Sequence, residues 1–225
     1  MAKKKQLPEE VAHSEAYVKD FFDMAVPSAI RFNVDHFICG DSYRSVWAIR
    51  EYPPQTSDQA LLARFGDKEA VTVHLYTRLV NGVEQRKILQ NASRKNKLLA
   101  NSNDLEDSVT GEGNLGDVVE LLGELRKNRE PLLHCAVFIE LSAGNLDKLR
   151  ELQSDVSMEM TREKISVDHL SMRQKEGFIA CMPCGYNIFG TQYERVLPAS
   201  AVANLFPFNY SGKTDKNGFY LGKDK

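Results

Sequence analysis

Long apolar runs are missing from this 225-residue chain. A membrane-spanning helix needs about 20 consecutive apolar residues, and the best run here, Cys135-Ala136-Val137-Phe138-Ile139, has the length of a core strand. Lys3-Lys4-Lys5 leads into Gln6-Leu7-Pro8-Glu9-Glu10 and not into an apolar stretch, so no secretory leader is expected. Cysteine is scarce as well. Four residues, Cys39, Cys135, Cys181 and Cys184, do not make a disulfide framework in a chain of this size, which points to a reducing cytoplasm. Charge of one sign is also lacking. A formal net charge of −2 gives no global argument for nucleic acid or an anionic membrane. What remains is ordinary: 42% apolar and 27% charged residues place the chain among globular proteins with enough material for a core.

Complete catalytic motifs are missing too, although three fragments come close. Gly111-Glu112-Gly113-Asn114-Leu115-Gly116 spells a dinucleotide-binding glycine pattern. That chemistry requires a preceding strand to deliver a helix N-terminus to a pyrophosphate, and the residues before it, Asp104-Leu105-Glu106-Asp107-Ser108, are polar and acidic. Ser211-Gly212-Lys213-Thr214 spells the end of a P-loop, but Pro207 stands where its first glycine belongs. Proline has no N–H to offer a phosphate, and the helix and acidic Mg²⁺ partner that a P-loop needs do not follow. Cys181-Met182-Pro183-Cys184 is the third. A lone C-x-x-C suits a redox dithiol or half a zinc site, yet Cys39, Cys135 and His169 supply no paired spacing for two more ligands. The remaining histidines, His36, His74 and His134, are scattered. Asp168-His169 is an adjacent pair with no nucleophile placed beside it. The sequence therefore assigns no catalytic, cofactor or metal residue.

Taken in order, residues 1–14 read as a disordered polar tail. Tyr17, Val18, Phe21, Phe22 and Ala25 have helical spacing up to Pro27. Ile30, Phe32 and Val34, then Tyr43, Ser45, Trp47 and Ile49, alternate with other residues around Gly40-Asp41, which predicts a β-hairpin. Ser57 is expected to cap a short helix through Leu61, Leu62 and Phe65 that stops at Gly66. Val71, Val73, Leu75 and Leu79 alternate as a half-buried strand. A helix over Val83–Ala100 should turn Ile88, Leu89, Ala92 and Leu99 inward. Its basic stripe, Arg86 to Lys97, lacks interleaved aromatics for base stacking and reads as a solvated face.

Asn101 to Asn114 reads as a polar loop, and Leu115 to Asn128 as an amphipathic helix. Leu132–Leu141 is apolar on both faces and should be central in a sheet. Asn145 should cap a helix with the stripe Leu146, Leu149, Leu152, Val156 and Met160. A short strand at Ile165 and Val167, a helical turn through Leu170 and Met172, and an apolar segment Phe178-Ile179-Ala180 follow. This pattern predicts an α+β fold: a mixed sheet with an N-terminal hairpin and packed helices, compatible with a ferredoxin-like half.

The last quarter carries one further signal. Arg173-Gln174, Gly177, then Pro183-x-Gly185-x-Asn187, Phe206-Pro207-Phe208 and Gly218-x-Tyr220-x-Gly222 follow one another in a fixed order, with Leu141-Ser142-Ala143-Gly144-Asn145-Leu146 opening a helix upstream. That order resembles the end of the N-terminal domain of the large conjugation ATPases of type IV secretion systems, the VirB/TrbE/CagE-like family. The resemblance is specific over residues 165–225 and looser from residue 45. It implies a docking domain over 15–208, followed by a linker over 209–225 that leads to an ATPase domain outside this sequence. It also implies no enzymatic activity and no cofactor in this chain, ATP and Mg²⁺ belonging to the ATPase domain. The implied partners are the membrane subunits of a secretion channel, the chain's own ATPase domain and further copies of itself. No direct nucleic-acid binding is expected, and the location is peripheral, at the cytoplasmic face of the plasma membrane. On this resemblance Arg173, Gln174, Gly177, Pro183, Gly185, Asn187, Phe206, Pro207 and Phe208 form a structural or docking motif. The alternatives are a stand-alone adaptor and a thiol or metal protein built on Cys181 and Cys184.

Overall fold

A computed structural model describes residues 29–53, 61–66, 68, 70–100, 123, 127, 130–183 and 186–205. The elements are β1 (Ile30–Phe32), β2 (Phe37–Cys39), β3 (Ser42–Glu51), α1 (Ala63–Gly66), β4 (Val71–Leu79), α2 (Gly82–Ala100) and β5 (Leu132–Ala143). Then come α3 (Leu146–Arg162), β6 (Ser166–Asp168), α4 (Gln174–Cys181), β7 (Arg195–Pro198) and α5 (Ala199–Ala203). The fold is α+β. Its seven-stranded sheet runs β1-β2-β3-β5-β4, with β6 also paired to β3 and β7 also paired to β5.

Two compact units share this chain. One comprises Met1–Tyr52 and Phe138–Gly190, the other Pro53–Val137 and Thr191–Lys225. The expected tail over 1–14 and linker over 209–225 lie outside the described residues, as do Gly185, Cys184 and Phe206-Pro207-Phe208.

In the first unit the expected hairpin is a three-stranded meander. Gly40, in the left-handed region at φ 57°, turns β2 into β3. A second turn at Asn33–His36, unforeseen from the alternation, ends β1 at Phe32. It is closed by the Asn33 amide N–H donating to His36 O at 2.9 Å, and the Ser45 hydroxyl donates to Asp35 O at 2.9 Å. Val34 thus belongs to a turn and not to a strand. The centre of β3, Val46 to Ile49, is fully buried, as is β5 from Phe138 to Ile139. Asn145 caps α3 as expected, its Oδ1 accepting from the Lys148 N–H at 2.8 Å. Leu149, Val156 and Met160 carry the buried stripe of that helix. The expected helical turn at Leu170 and Met172 is absent: both residues are left-handed, at φ 51° and 63°. Phe178-Ile179-Ala180 lies inside the helix α4.

In the second unit α2 begins at Asn81, whose Oδ1 accepts from the N–H groups of Val83 and Glu84 at 3.1 and 2.8 Å. Ile88 packs on buried Val80 and Leu132, together with Val196 from β7. The apolar face read from β4 holds only at its start. Val71 is buried, whereas Leu75 and Leu79 are exposed. The helix expected over Leu115–Asn128 is described only at Gly123 and Lys127, both helical.

Candidate functional site: a clasp between α4 and β3 with an apolar rim

Strand β3 has two edges. Residues Tyr43 to Ala48 pair with β5 on one of them. On the other, β2 covers β3 as far as Arg44 and β6 resumes at Ala48. Between them Val46 presents an N–H and a C=O with no strand opposite. The Gln174 side chain fills that gap. Its Oε1 accepts from Val46 N–H at 2.9 Å and its Nε2 donates to Val46 O at 3.0 Å and to His169 O at 2.8 Å. The amide is buried and saturated, so it substitutes for the missing rung of the ladder.

Gly177, one turn further along α4, faces the same residue. A Cβ there would lie 2.9 Å from Val46 Cβ and 3.2 Å from Leu170 Cδ1, closer than carbon atoms pack. Only glycine lets α4 approach β3 this closely.

Arg173 precedes α4 and sets its guanidinium 4.5 Å above the centre of the Phe189 ring. Phe189 in turn stacks on buried Phe138, with centroids 5.4 Å apart. Asn187 fixes Phe189 in place. Its Oδ1 accepts from Phe189 N–H at 3.2 Å and its Nδ2 donates to Gly190 O at 2.8 Å. Four motif residues therefore act on the interior: Arg173, Gln174, Gly177 and Asn187. Pro183 sits exposed after α4. The Asp168-His169 pair is also structural. Asp168 Oδ1 accepts from Leu170 N–H at 2.9 Å, and the His169 ring stacks on Trp47 at 4.3 Å.

Cys181 is equally interior. Burial, and then the charge of Glu140, push its thiol well above the ordinary value. A thiol so held stays protonated at neutral pH and is a poor nucleophile.

Sequence reasoning missed the rim of this clasp. Met172 is 81% exposed, and its N–H donates to the carbonyl of Val34, itself 57% exposed, at 2.6 Å. Past α4, Met182 and Tyr186 are also exposed, Tyr186 by 65%. Left-handed backbone at a residue other than glycine costs on the order of 1–2 kcal/mol, and Met172 spends it to stand in solvent. No periodicity announces such a residue.

The second unit holds a charge cluster. His134 Nε2 lies 2.9 Å from Glu84 Oε1 and its Nδ1 lies 3.4 Å from Glu194 Oε2. Arg78 reaches Glu194 at 3.1 Å and Glu84 at 3.7 Å, which closes a ring of alternating partners. Every member is engaged by another, so the ring ties four chain segments together. Among the described residues no helix is long and apolar enough to cross a membrane. No protein-family model and no curated protein matches this chain, so its sequence order and the geometry of the clasp are what a functional reading rests on.

Proposed function

We propose that this chain is the non-catalytic N-terminal domain of a conjugative type IV secretion ATPase, docking the motor to membrane subunits of the channel during DNA or protein transfer. One observation carries the reading. Of the motif residues that prompted the resemblance, Gln174 and Gly177 seat α4 on β3 and Arg173 and Asn187 hold Phe189, and α4 is flanked by exposed apolar side chains: Met172 before it, with Val34 beside that residue, and Met182 and Tyr186 after it. Aromatic and methionine side chains on a rigid base are what protein interfaces favour. Strained backbone at an exposed residue fits a surface shaped for a partner and not for stability.

On this reading ATP and Mg²⁺ are handled by a P-loop domain outside this sequence. The chain itself contributes position at the cytoplasmic face of the membrane. Photo-crosslinking from residue 172 or 186 in cells carrying the whole secretion system tests it. Adducts to an integral subunit of the channel are expected, with loss of conjugal transfer in Met172→Asp. Normal transfer by Met172→Asp and Tyr186→Asp, with no channel adduct from either position, would sink the reading.

A further inference from the structure

Helix α2 is unlike the rest of the chain in charge. Its 19 residues carry Arg86, Lys87, Arg94, Lys95 and Lys97 against a single acid, Glu84, while the whole chain has two more acids than Lys and Arg residues. Glu84 is turned toward His134 and Arg78 and does not share the solvent face. That face runs through Val83, Arg86, Lys87, Gln90, Asn91, Arg94 and Lys95, all exposed.

Residues four apart stack along a helix, so two rows form: Arg86, Gln90, Arg94 beside Val83, Lys87, Asn91, Lys95. With a rise of about 1.5 Å per residue, the four cations span roughly 13 Å of a straight rod. Among the described residues no acidic side chain pairs with any of them. Among the described residues the hydrogen bond they make is Arg86 Nε donating to Gly82 O at 3.2 Å. Cations on one face repel one another, and among the described residues no paired acid offsets that repulsion. A flat anionic surface would meet all four at once.

Two kinds of polyanion could do so, and the apolar neighbours decide between them. Val83, 74% exposed, stands at the head of the second row, and Leu79, 62% exposed, lies four residues before it in the same unit. Aliphatic side chains flanked by Arg and Lys gain free energy at a lipid headgroup boundary. Against a phosphodiester backbone they gain nothing, and no aromatic ring on this face offers bases a stacking platform. We propose that the solvent face of α2 binds anionic lipid headgroups, with Val83 and Leu79 entering the interfacial layer. This deepens the docking reading and rests on it for placing the chain beside a membrane.

The test is flotation of the full chain with protein-free phosphatidylcholine vesicles, with and without about one-third phosphatidylglycerol. Binding is expected only with phosphatidylglycerol, and it should fade between about 0.15 M and 1 M salt as the Debye length shrinks. Each cation near an anionic surface contributes roughly fivefold in affinity, so Arg94→Gln with Lys95→Gln should weaken binding about 25-fold. Val83→Asp should also weaken it. The paired control Lys148→Gln with Lys175→Gln, exposed cations of the other unit, should change nothing. Thermal melting of every variant keeps a folding defect from being read as lost binding, and the salt series on the unaltered chain gives an independent readout.

Equal flotation with neutral vesicles, or binding to anionic vesicles that survives removal of all four cations, overturns the proposal. So does duplex DNA that outcompetes the vesicles while Val83→Asp has no effect. Vesicles without protein contain no channel subunit. A failure here therefore leaves the crosslinking expected at residues 172 and 186 untouched, and the reverse holds equally.

Discussion

Gln174 can be replaced by leucine without changing side-chain size much, and that makes it the sharpest residue-scale test of the clasp. Leucine would leave the N–H and C=O of Val46 buried without a partner, since β2 ends before that residue and β6 begins after it. Each buried group so orphaned costs about 1–3 kcal/mol, so Gln174→Leu should destabilise by about 2–5 kcal/mol in urea titration. A loss below about 0.5 kcal/mol would mean that the amide is incidental. Cys181 makes a prediction with a sign. Below the ordinary thiol value of 9.0 both folded and unfolded chains keep its proton, so it contributes nothing to pH dependence. Above that value the unfolded chain loses a proton that the folded chain holds. Stability should then fall with rising pH, by up to about 1.4 kcal/mol per unit. Cys181→Ala should remove that part of the slope, and alkylation of the native thiol should be slow at neutral pH. Neither role could be read from the chain. Gln174 and its partner Val46 are 128 residues apart, and a side chain that completes a strand ladder leaves no local pattern.

At the scale of elements, what was legible was local. Asn145 and the stripe through Leu149, Val156 and Met160 announce α3 because a cap and its helix are neighbours in sequence. The run from Leu132 announces a central strand because both its faces are covered. Alternation failed where something non-local decides. Ile30, Phe32 and Val34 alternate like a strand, yet turn residues Asn33 and Asp35 with His36 interrupt it. Asp35 anchors that turn through His36 Nδ1 at 2.8 Å and through Arg150 of α3. Burial pushes the Asp35 carboxyl up, but hydrogen bonds and charge from His36 and Arg150 outweigh it and hold the group below its usual range. The second half of β4 failed for another reason: Leu75 and Leu79 alternate as though a core lay beneath them and are exposed instead. Helix α4 is short and has buried residues at Gln174, Gly177, Ala180 and Cys181, so it owes its place to packing and not to helix propensity. Gly177→Ala therefore poses a clean contest. In an ordinary exposed helix the change stabilises by up to about 1 kcal/mol. Here the new methyl meets Val46 and should cost about 1–3 kcal/mol by overpacking. Urea denaturation decides the sign. A Gly177→Ala variant more stable than the parent would mean that α4 has room to move away from β3.

For the whole molecule, the docking role proposed above turns on whether this chain holds a nucleotide site of its own. Gln174, Gly177, Arg173 and Asn187 serve the fold, while Met172, Tyr186 and the cations of α2 face outward. Substitutions at Tyr186 and at the cations of α2 should move stability by no more than about 0.5 kcal/mol, and under the proposed docking role any effect on transfer is then an effect on partners. Ser211-Gly212-Lys213-Thr214 is the one fragment that could contradict a purely positional role. A P-loop holds phosphate with successive backbone N–H groups that a glycine-rich turn aims at one point. Pro207 removes one of those donors and fixes φ where the turn needs freedom. A lone lysine still attracts phosphate, but as a single point charge that salt screens. Calorimetric titration of this chain with ATP and Mg²⁺ is therefore expected to be flat. Any weak heat should vanish with added salt and should be equal for ATP and inorganic triphosphate. Saturable binding in the micromolar range, specific for the nucleotide and lost in Lys213→Ala, would show that the chain carries a nucleotide site of its own, and the docking reading would have to give way to an enzymatic one.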